Sequence, residues 1–253
     1  MRVYASEFAH TYSSYAFGYT LHAQIEGSDD PGVLYEQGFL PFSADPTLHD
    51  RFYMARSVRV PLPDWKPTSE NRRILRKFDE TFEADVLTRE ELRTDTTFKD
   101  CFLGYFADRH GQSTMSAARL DGILESVLPL SCRRYMDTDG FPVAYVLYID
   151  TPDFTHYWFS CHQTKYAGTS LGMWLMLDAI RDAKAAGKDY YYLGTVYGEK
   201  ALYKTNFGPL EWWDGSEDPA TAQKQLVSML LCKIPCVVDL NVLSHSMCAI
   251  DIG

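Results

Sequence analysis

Between Ser131 and Cys161 the chain reads SCRRYM, FPVAYVLYI and FTHYWFSC, three extended runs of β-branched and aromatic residues separated by the turn signals TDG and TPD. Strands joined by turns this short run antiparallel, because a parallel neighbour needs a crossover of a dozen residues or more. The meander leads into a small-residue loop, KYAGTSLG, and a long apolar helix reaching Ala186, with Gly187 at its end. One more apolar run follows, DYYYLGTV, then a short helix in GEKALYKTNF and a strand in PLEWW. This order predicts an α/β fold with a mixed, mostly antiparallel sheet flanked by helices.

Upstream, Thr88-Arg-Glu-Glu91 is a capping box. The helix it opens carries Phe98, Cys101, Phe102, Tyr105 and Phe106 at three-to-four spacing and ends near Arg109-His110-Gly111. A second helix is expected over 116–128, stopped by Pro129. TSENRRILRKF predicts a helix with Ile74, Leu75 and Phe78 inward and Arg72, Arg73, Arg76 and Lys77 outward. Residues 79–88 read as a link. The first part reads as short aromatic strands, YSSYAFGYTLHAQI and VLYEQGFLPF, around the turn GSDDPG. Asp218-Pro219 starts a last helix. The expected division is 1–87, a smaller α+β region with a basic element at 51–77, and 88–253, the main domain.

Composition narrows the classes. At 253 residues and 46% hydrophobic, the chain can bury one large core or two smaller ones. No stretch approaches the ~20 apolar residues of a membrane span, and MRVYASEFAHTYSS lacks the apolar core of a secretory signal. Six scattered cysteines fit a reducing cytoplasm better than a disulfide scaffold. No metal site is expected, since Cys232 and Cys236 lack further ligands nearby. The net charge of −10 argues against general nucleic-acid binding. Yet residues 51–77 hold eight basic and two acidic residues. Such a patch either binds phosphates locally or solvates a helix face.

Four motifs in order carry a resemblance. They are RSVRVPLPDWKPTSENRRILRKF, FLGYFADRHGQSTMS, TSLGMW and YYYLGTVYGEKALYKTNFGPLEW. Together they resemble the aminoacyl-tRNA–protein transferases, the arginyl and leucyl transferases of the N-degron pathway, whose catalytic part has the GNAT acyltransferase fold. The matching positions include Tyr105, Arg109, His110, Gly111 and Met115; Ser170, Leu171 and Gly172; and Lys200, Tyr203, Lys204, Pro209 and Glu211. The Arg-His segment is similar to the bacterial leucyl branch. Members carry cysteine pairs near positions matching Ser13–Ala16 and Met54–Ser57, whereas this chain has no cysteine before Cys101. A metal or iron–sulfur site on those thiols should be absent. The segment between Ile149 and Ser170 is also longer than the family pattern and reads as an extra hairpin.

The resemblance implies transfer of an amino acid, Leu or Arg, from aminoacyl-tRNA to the α-amine of a protein or peptide N-terminus, an acidic one. Aminoacyl-tRNA is a co-substrate, and no cofactor or membrane partner is implied. Such aminolysis needs oriented substrates, a proton acceptor and stabilisation of the oxyanion. The N–H groups of Ser170, Leu171 and Gly172 can polarise the ester carbonyl or hold the tRNA end, or form an ordinary helix start. Tyr203 can protonate the leaving oxygen or sit in the core; Lys200 and Lys204 can meet an anion or solvent. Arg109 and His110 can serve substrate binding and proton transfer, or simply end a helix. Glu211 can accept the amine's proton or form a salt bridge. Arg56, Arg59, Arg72, Arg73, Arg76 and Lys77 are the candidate tRNA contacts. Two alternatives remain at this point: an acyl-CoA-dependent N-acyltransferase on the same fold, or an inactive protein that binds tRNA or N-degrons.

Overall fold

The computed structural model describes residues 1–11, 16–27, 29–55, 57–196 and 199–213, with the backbone alone at 5–11, 16–19, 199 and 200. The helix expected from Asp218 and the cysteines at 232, 236 and 248 lie outside the described residues. The first elements are β1 (Arg2–Thr11), β2 (Ala16–Gln24), α1 (Pro31–Glu36), β3 (Phe39–Pro41), β4 (Arg51–Met54) and β5 (Ser57–Pro61). Next come α2 (Ser69–Phe78), β6 (Glu83–Leu87), α3 (Arg89–Thr94), α4 (Thr96–His110) and α5 (Ala117–Leu124). The meander is β7 (Leu130–Met136), β8 (Pro142–Asp150) and β9 (Phe154–His162). After it come α6 (Leu171–Ala185), β10 (Tyr190–Thr195), a 3-10 segment (Glu199–Phe207) and β11 (Glu211–Trp212). Contacts gather the chain into two units, each built from separated stretches. One holds 1–42, 50–60 and the described chain from 193; the other holds 43–49 and 61–192.

In the first unit, β1, β2, β4 and β3 form a four-stranded antiparallel sheet in that order. The expected strand in VLYEQGFLPF is half helix. Asp30 caps α1 by accepting from the Gly32 N–H at 2.8 Å, and Pro31 sits in the first turn, where a missing N–H costs nothing. Those start signals override the β-type composition, and only Phe39–Pro41 remains extended. Leu34 and Tyr35 of α1 are buried, and the Tyr35 ring meets Phe52 of β4 edge-on at 6.0 Å. β11 pairs antiparallel with β5, Glu211 opposite Arg59 and Trp212 opposite Val58.

The second unit carries the meander. β6, β7, β8 and β9 are antiparallel neighbours, and β10 joins β9 in parallel through Tyr190–Tyr192. Alternation sorts the two faces. Cys132, Tyr145, Leu147 and Cys161 point into a core with Phe98, Phe102 and Phe106 of α4 and Leu120, Ile123 and Leu124 of α5. Tyr135 points the other way and meets Trp174 of α6 at 5.4 Å. α4 starts on an Asp95 cap to the Phe98 N–H and stops at Gly111, whose φ is 96°. Its Phe98, Phe102 and Phe106 sit four residues apart on the buried stripe.

Four expectations change here. The helix that the Thr88 capping box opens ends at Thr94, and Phe98–Phe106 belong to a separate helix, because the extended Asp95 stops the first and caps the second. Residues 83–87, read as part of a link, form the edge strand β6, held to β7 by a two-bond ion pair from Arg134 to Asp85. Only Leu87 of this strand is buried, so hydrophobicity gave little signal. α5 ends at Leu124 instead of Leu128. And Phe154–His162 is no added hairpin: as β9 it pairs with both β8 and β10 and is integral to the sheet.

Candidate active site

The start of α6 is irregular in a specific way. Gly168 has φ +75° and Ser170 φ +71°, the left-handed region that a residue with a Cβ enters at a cost. Ser170 occupies the cap position, but its side chain makes no cap hydrogen bond. The alternative reading of Ser170 as an ordinary N-cap is therefore removed, because its left-handed backbone replaces the extended cap conformation. Leu171 is buried, while Gly172 is half-buried with open space where a Cβ would stand. An aromatic cluster fixes this end: Phe82 lies 5.5 Å from Trp174 and 5.8 Å from Tyr166, and Phe78 lies 5.9 Å from Trp174.

α2 presents its cations outward as the spacing predicts, with Arg72, Arg73, Arg76 and Lys77 all exposed. They are not equivalent. Arg73 forms a two-bond ion pair with Glu70, which holds the Glu70 carboxyl below its ordinary range. Arg72 donates to the Pro67 carbonyl at 2.7 Å. Lys77 donates to the Thr169 carbonyl at 2.5 Å, tying α2 to the loop before α6. Arg76 has neither ion pair nor hydrogen bond with a described residue. Arg56 lies outside the described residues.

At the end of α4, Arg109 and His110 are both exposed. The His110 ring packs 5.2 Å from Phe106 and 6.3 Å from Tyr105. On its other side Tyr105 meets His162, the last residue of β9, at 4.9 Å and 62°. His162 is 6% exposed. Burial first, and then the Arg109 charge, lower its pKa from the ordinary histidine value. Sequence alone does not single out His162, one of several histidines in the aromatic strands. Its position at the carboxyl end of a sheet strand, just ahead of the glycine loop, was the usable signal. One residue and one turn back, Cys161 donates its S–H to Cys101 at 3.4 Å, which lowers the Cys101 pKa, whereas burial raises that of Cys161.

In the first unit, the short helix expected in GEKALYKTNF is a 3-10 segment. Tyr203 is 41% exposed, which removes the core reading for it. Lys204 donates to the Thr195 carbonyl at 2.9 Å, and burial of its ammonium pushes its pKa down to about 8. The side chain of Lys200 lies outside the described residues. Glu211 accepts from Arg59 Nε at 2.7 Å, with both side chains mostly buried. So the structure brings together Arg109, His110, Tyr105 and His162; Lys77 and Thr169; and Arg59 and Glu211. Among the described residues, no cluster of His, Cys, Asp and Glu could hold a metal ion, and no helix is long and apolar enough to cross a membrane.

A family model of the acetyltransferase (GNAT) domain matches residues 69–205. The aspartate/glutamate leucyltransferase of Parvibaculum lavamentivorans is 31% identical over 162 residues, 61% of this chain and 65% of the relative. That of Methylorubrum extorquens is 31% identical over 171 residues, 61% of this chain and 67% of the relative. The match thus spans about two thirds of the length of these relatives. Among solved structures, L-PGS from Bacillus licheniformis is similar at a TM-score of 0.40 and 15% identity, over 73% of this chain and 57% of that one. The chain belongs to the GNAT acetyltransferase domain family and, within that fold, to the family of the aspartate/glutamate leucyltransferases.

Proposed function

We propose that the protein transfers leucine from leucyl-tRNA to the α-amine of proteins that begin with aspartate or glutamate. Family membership carries this reading, through relatives whose names give both the amino acid and the acceptor. The start of α6 supplies the chemistry that such a reaction needs. The donor ester is already activated, so no covalent nucleophile is required. The acceptor amine attacks the ester carbonyl, a tetrahedral oxyanion forms, and the ribose oxygen leaves with a proton. The N–H groups of Leu171 and Gly172 face that oxyanion at a helix N-terminus, where the dipole favours negative charge. The cations of α2, Arg76 foremost, contact tRNA phosphates, and Lys77 holds the α6 loop in place. The reaction takes place in the cytoplasm, where charged tRNA is made.

The test is incubation of the chain with total charged tRNA and peptides beginning with Asp, Glu or Lys, read by mass spectrometry. A gain of one leucine residue on the Asp and Glu peptides, abolished by ribonuclease, is the expected result. A gain of an acetyl group from acetyl-CoA, without tRNA, would overturn it in favour of the acyl-CoA reading. Binding of tRNA or peptide with no transfer from any charged tRNA would favour the inactive binder.

A further inference from the structure

His162 ends β9 with its Nδ1 3.0 Å from the carbonyl of Gln163. A carbonyl only accepts, so Nδ1 carries the proton and Nε2 presents a lone pair. The arrangement is braced. The Gln163 side chain donates to the Pro142 carbonyl at 2.5 Å, and its backbone N–H donates to the Val143 carbonyl at 2.9 Å. The carbonyl that sets the tautomer therefore cannot swing away. Tyr105 packs edge-on against the ring from α4, and β8 places uncharged Ala144 opposite His162. The charge that acts on the imidazole is Arg109, also from α4. His110 is one residue further on, and the Cys101–Cys161 thiols lie one step behind. Arg109 itself is exposed, with neither ion pair nor hydrogen bond among the described residues.

The strand that carries His162 is open on one side. The β9–β10 ladder stops at Tyr192–His156, so Tyr157–His162 pairs, among the described residues, with β8 alone. Trp158, Phe159 and Ser160 on this stretch are half-exposed. A buried, oriented imidazole thus stands near a guanidinium that, among the described residues, has no ion pair, at a strand end that pairs there on one side alone.

We propose that His162 accepts the proton of the attacking α-amine and that Arg109 receives the side-chain carboxylate of the acceptor's first residue. This rests on the leucyl-transfer reading and names the acceptor subsite within it. The neutral α-amine attacks, and Nε2 takes one proton from its nitrogen as the C–N bond forms. The C–O bond of the ester breaks, and the imidazolium returns that proton to the ribose oxygen. Ester and amine become amide and alcohol, with no other reactant. A carboxylate on Arg109 also offsets the positive charge that adds to burial in lowering the basicity of His162. An acidic acceptor therefore raises the basicity of the group that activates it, whereas a neutral acceptor leaves His162 suppressed. Selectivity for Asp and Glu then appears in kcat as well as in KM.

The experiment uses the full chain, leucyl-tRNA and matched peptides beginning with Asp or Asn. For the wild type, kcat/KM falls on the acid side with an apparent pKa below 6.5, the ordinary histidine value. His162→Gln loses roughly 10²–10³-fold in kcat and the acid limb with it, and added imidazole restores part of the rate to His162→Gly. Arg109→Gln raises KM for the Asp peptide, leaves KM for leucyl-tRNA unchanged and shrinks the Asp-over-Asn preference. Should the variants fail to fold, nitrogen NMR of wild-type His162 decides: an Nδ1–H tautomer whose pKa rises when the Asp peptide binds. Wild-type transfer with an unchanged acid limb in folded His162→Gln, or a His162 pKa unmoved by peptide, overturns this inference alone. No leucyl transfer by the wild type overturns the functional reading and this inference with it.

Discussion

Arg59 and Glu211 face each other across the β5–β11 ladder, Nε to Oε2 at 2.7 Å, their side chains 19% and 27% exposed. Their separation in sequence is 152 residues, and β11 is only two residues long. The ion pair thus adds to the backbone pairing that registers β11 on β5. It also engages a cation that the basic stretch offered to tRNA and a carboxylate that could have served as a base. A double-mutant cycle with Arg59→Ala and Glu211→Ala is expected to give a coupling of about 1 kcal/mol, measured by urea unfolding. Additivity within ~0.3 kcal/mol would mean that the pair contributes nothing to stability.

The same geometry separates Arg59 from Arg76 in RNA binding. Arg76 lies on an exposed helix face and has no ion pair or hydrogen bond with a described residue. Arg76→Gln should lower the slope of log K against log salt for tRNA binding by about 1. Arg59→Gln should leave that slope unchanged. Fluorescence anisotropy over a salt series reads both, and equal slopes for the two variants would contradict this division.

Lys204 gives a pH signature. Burial holds its folded pKa at about 8 against 10.5 in an exposed lysine. Between those values the unfolded chain binds more protons, so stability rises with pH across that window. Below about 8 the cost of burying the charge is present in full. Relative to Lys204→Met, the wild type should gain up to about 3 kcal/mol between pH 8 and 10.5. Denaturant melts of both proteins across the range measure it, and parallel curves would show that the ammonium is well solvated.

Three glycines should part company under substitution by alanine. Gly104 lies on the exposed side of α4 with nothing within 4 Å of a Cβ, so Gly104→Ala stabilises by about 0.5–1 kcal/mol. In α5, a Cβ on Gly122 would stand 2.7 Å from the backbone of Pro46, so Gly122→Ala costs about 1–3 kcal/mol. Gly172→Ala has room in the free protein and should keep its melting temperature. It should lose leucyl transfer nonetheless, because the methyl group stands where the proposed oxyanion approaches the α6 N–H groups. Full activity in that variant would remove the α6 start from the mechanism.

The thiols predict an order of reactivity. The S–H of Cys161 stabilises the Cys101 thiolate, while burial raises the pKa of Cys161 and Cys132. Iodoacetamide at neutral pH should therefore label Cys101 first among these three, as read by peptide mass spectrometry. Equal labelling of Cys132 would show that the sheet opens on the labelling timescale.

Local rules already fixed much of this protein. The capping box at Thr88 is made with both of its hydrogen bonds, and the inward and outward faces of α2 follow from spacing alone. The short turns TDG and TPD dictate the antiparallel meander. These features depend on neighbours within a few residues, so a linear reading reaches them. Tertiary structure decided what no local rule could. It set β6 as an edge strand whose partner is β7, and it gave the Arg59 charge to Glu211. It placed Ser170 in a left-handed conformation that ends its use as a cap. Above all, it brought Arg109 of α4 to a buried His162 at the end of β9. A histidine's basicity depends on burial and on charges near it in space. Neither is written in the residues on its two sides.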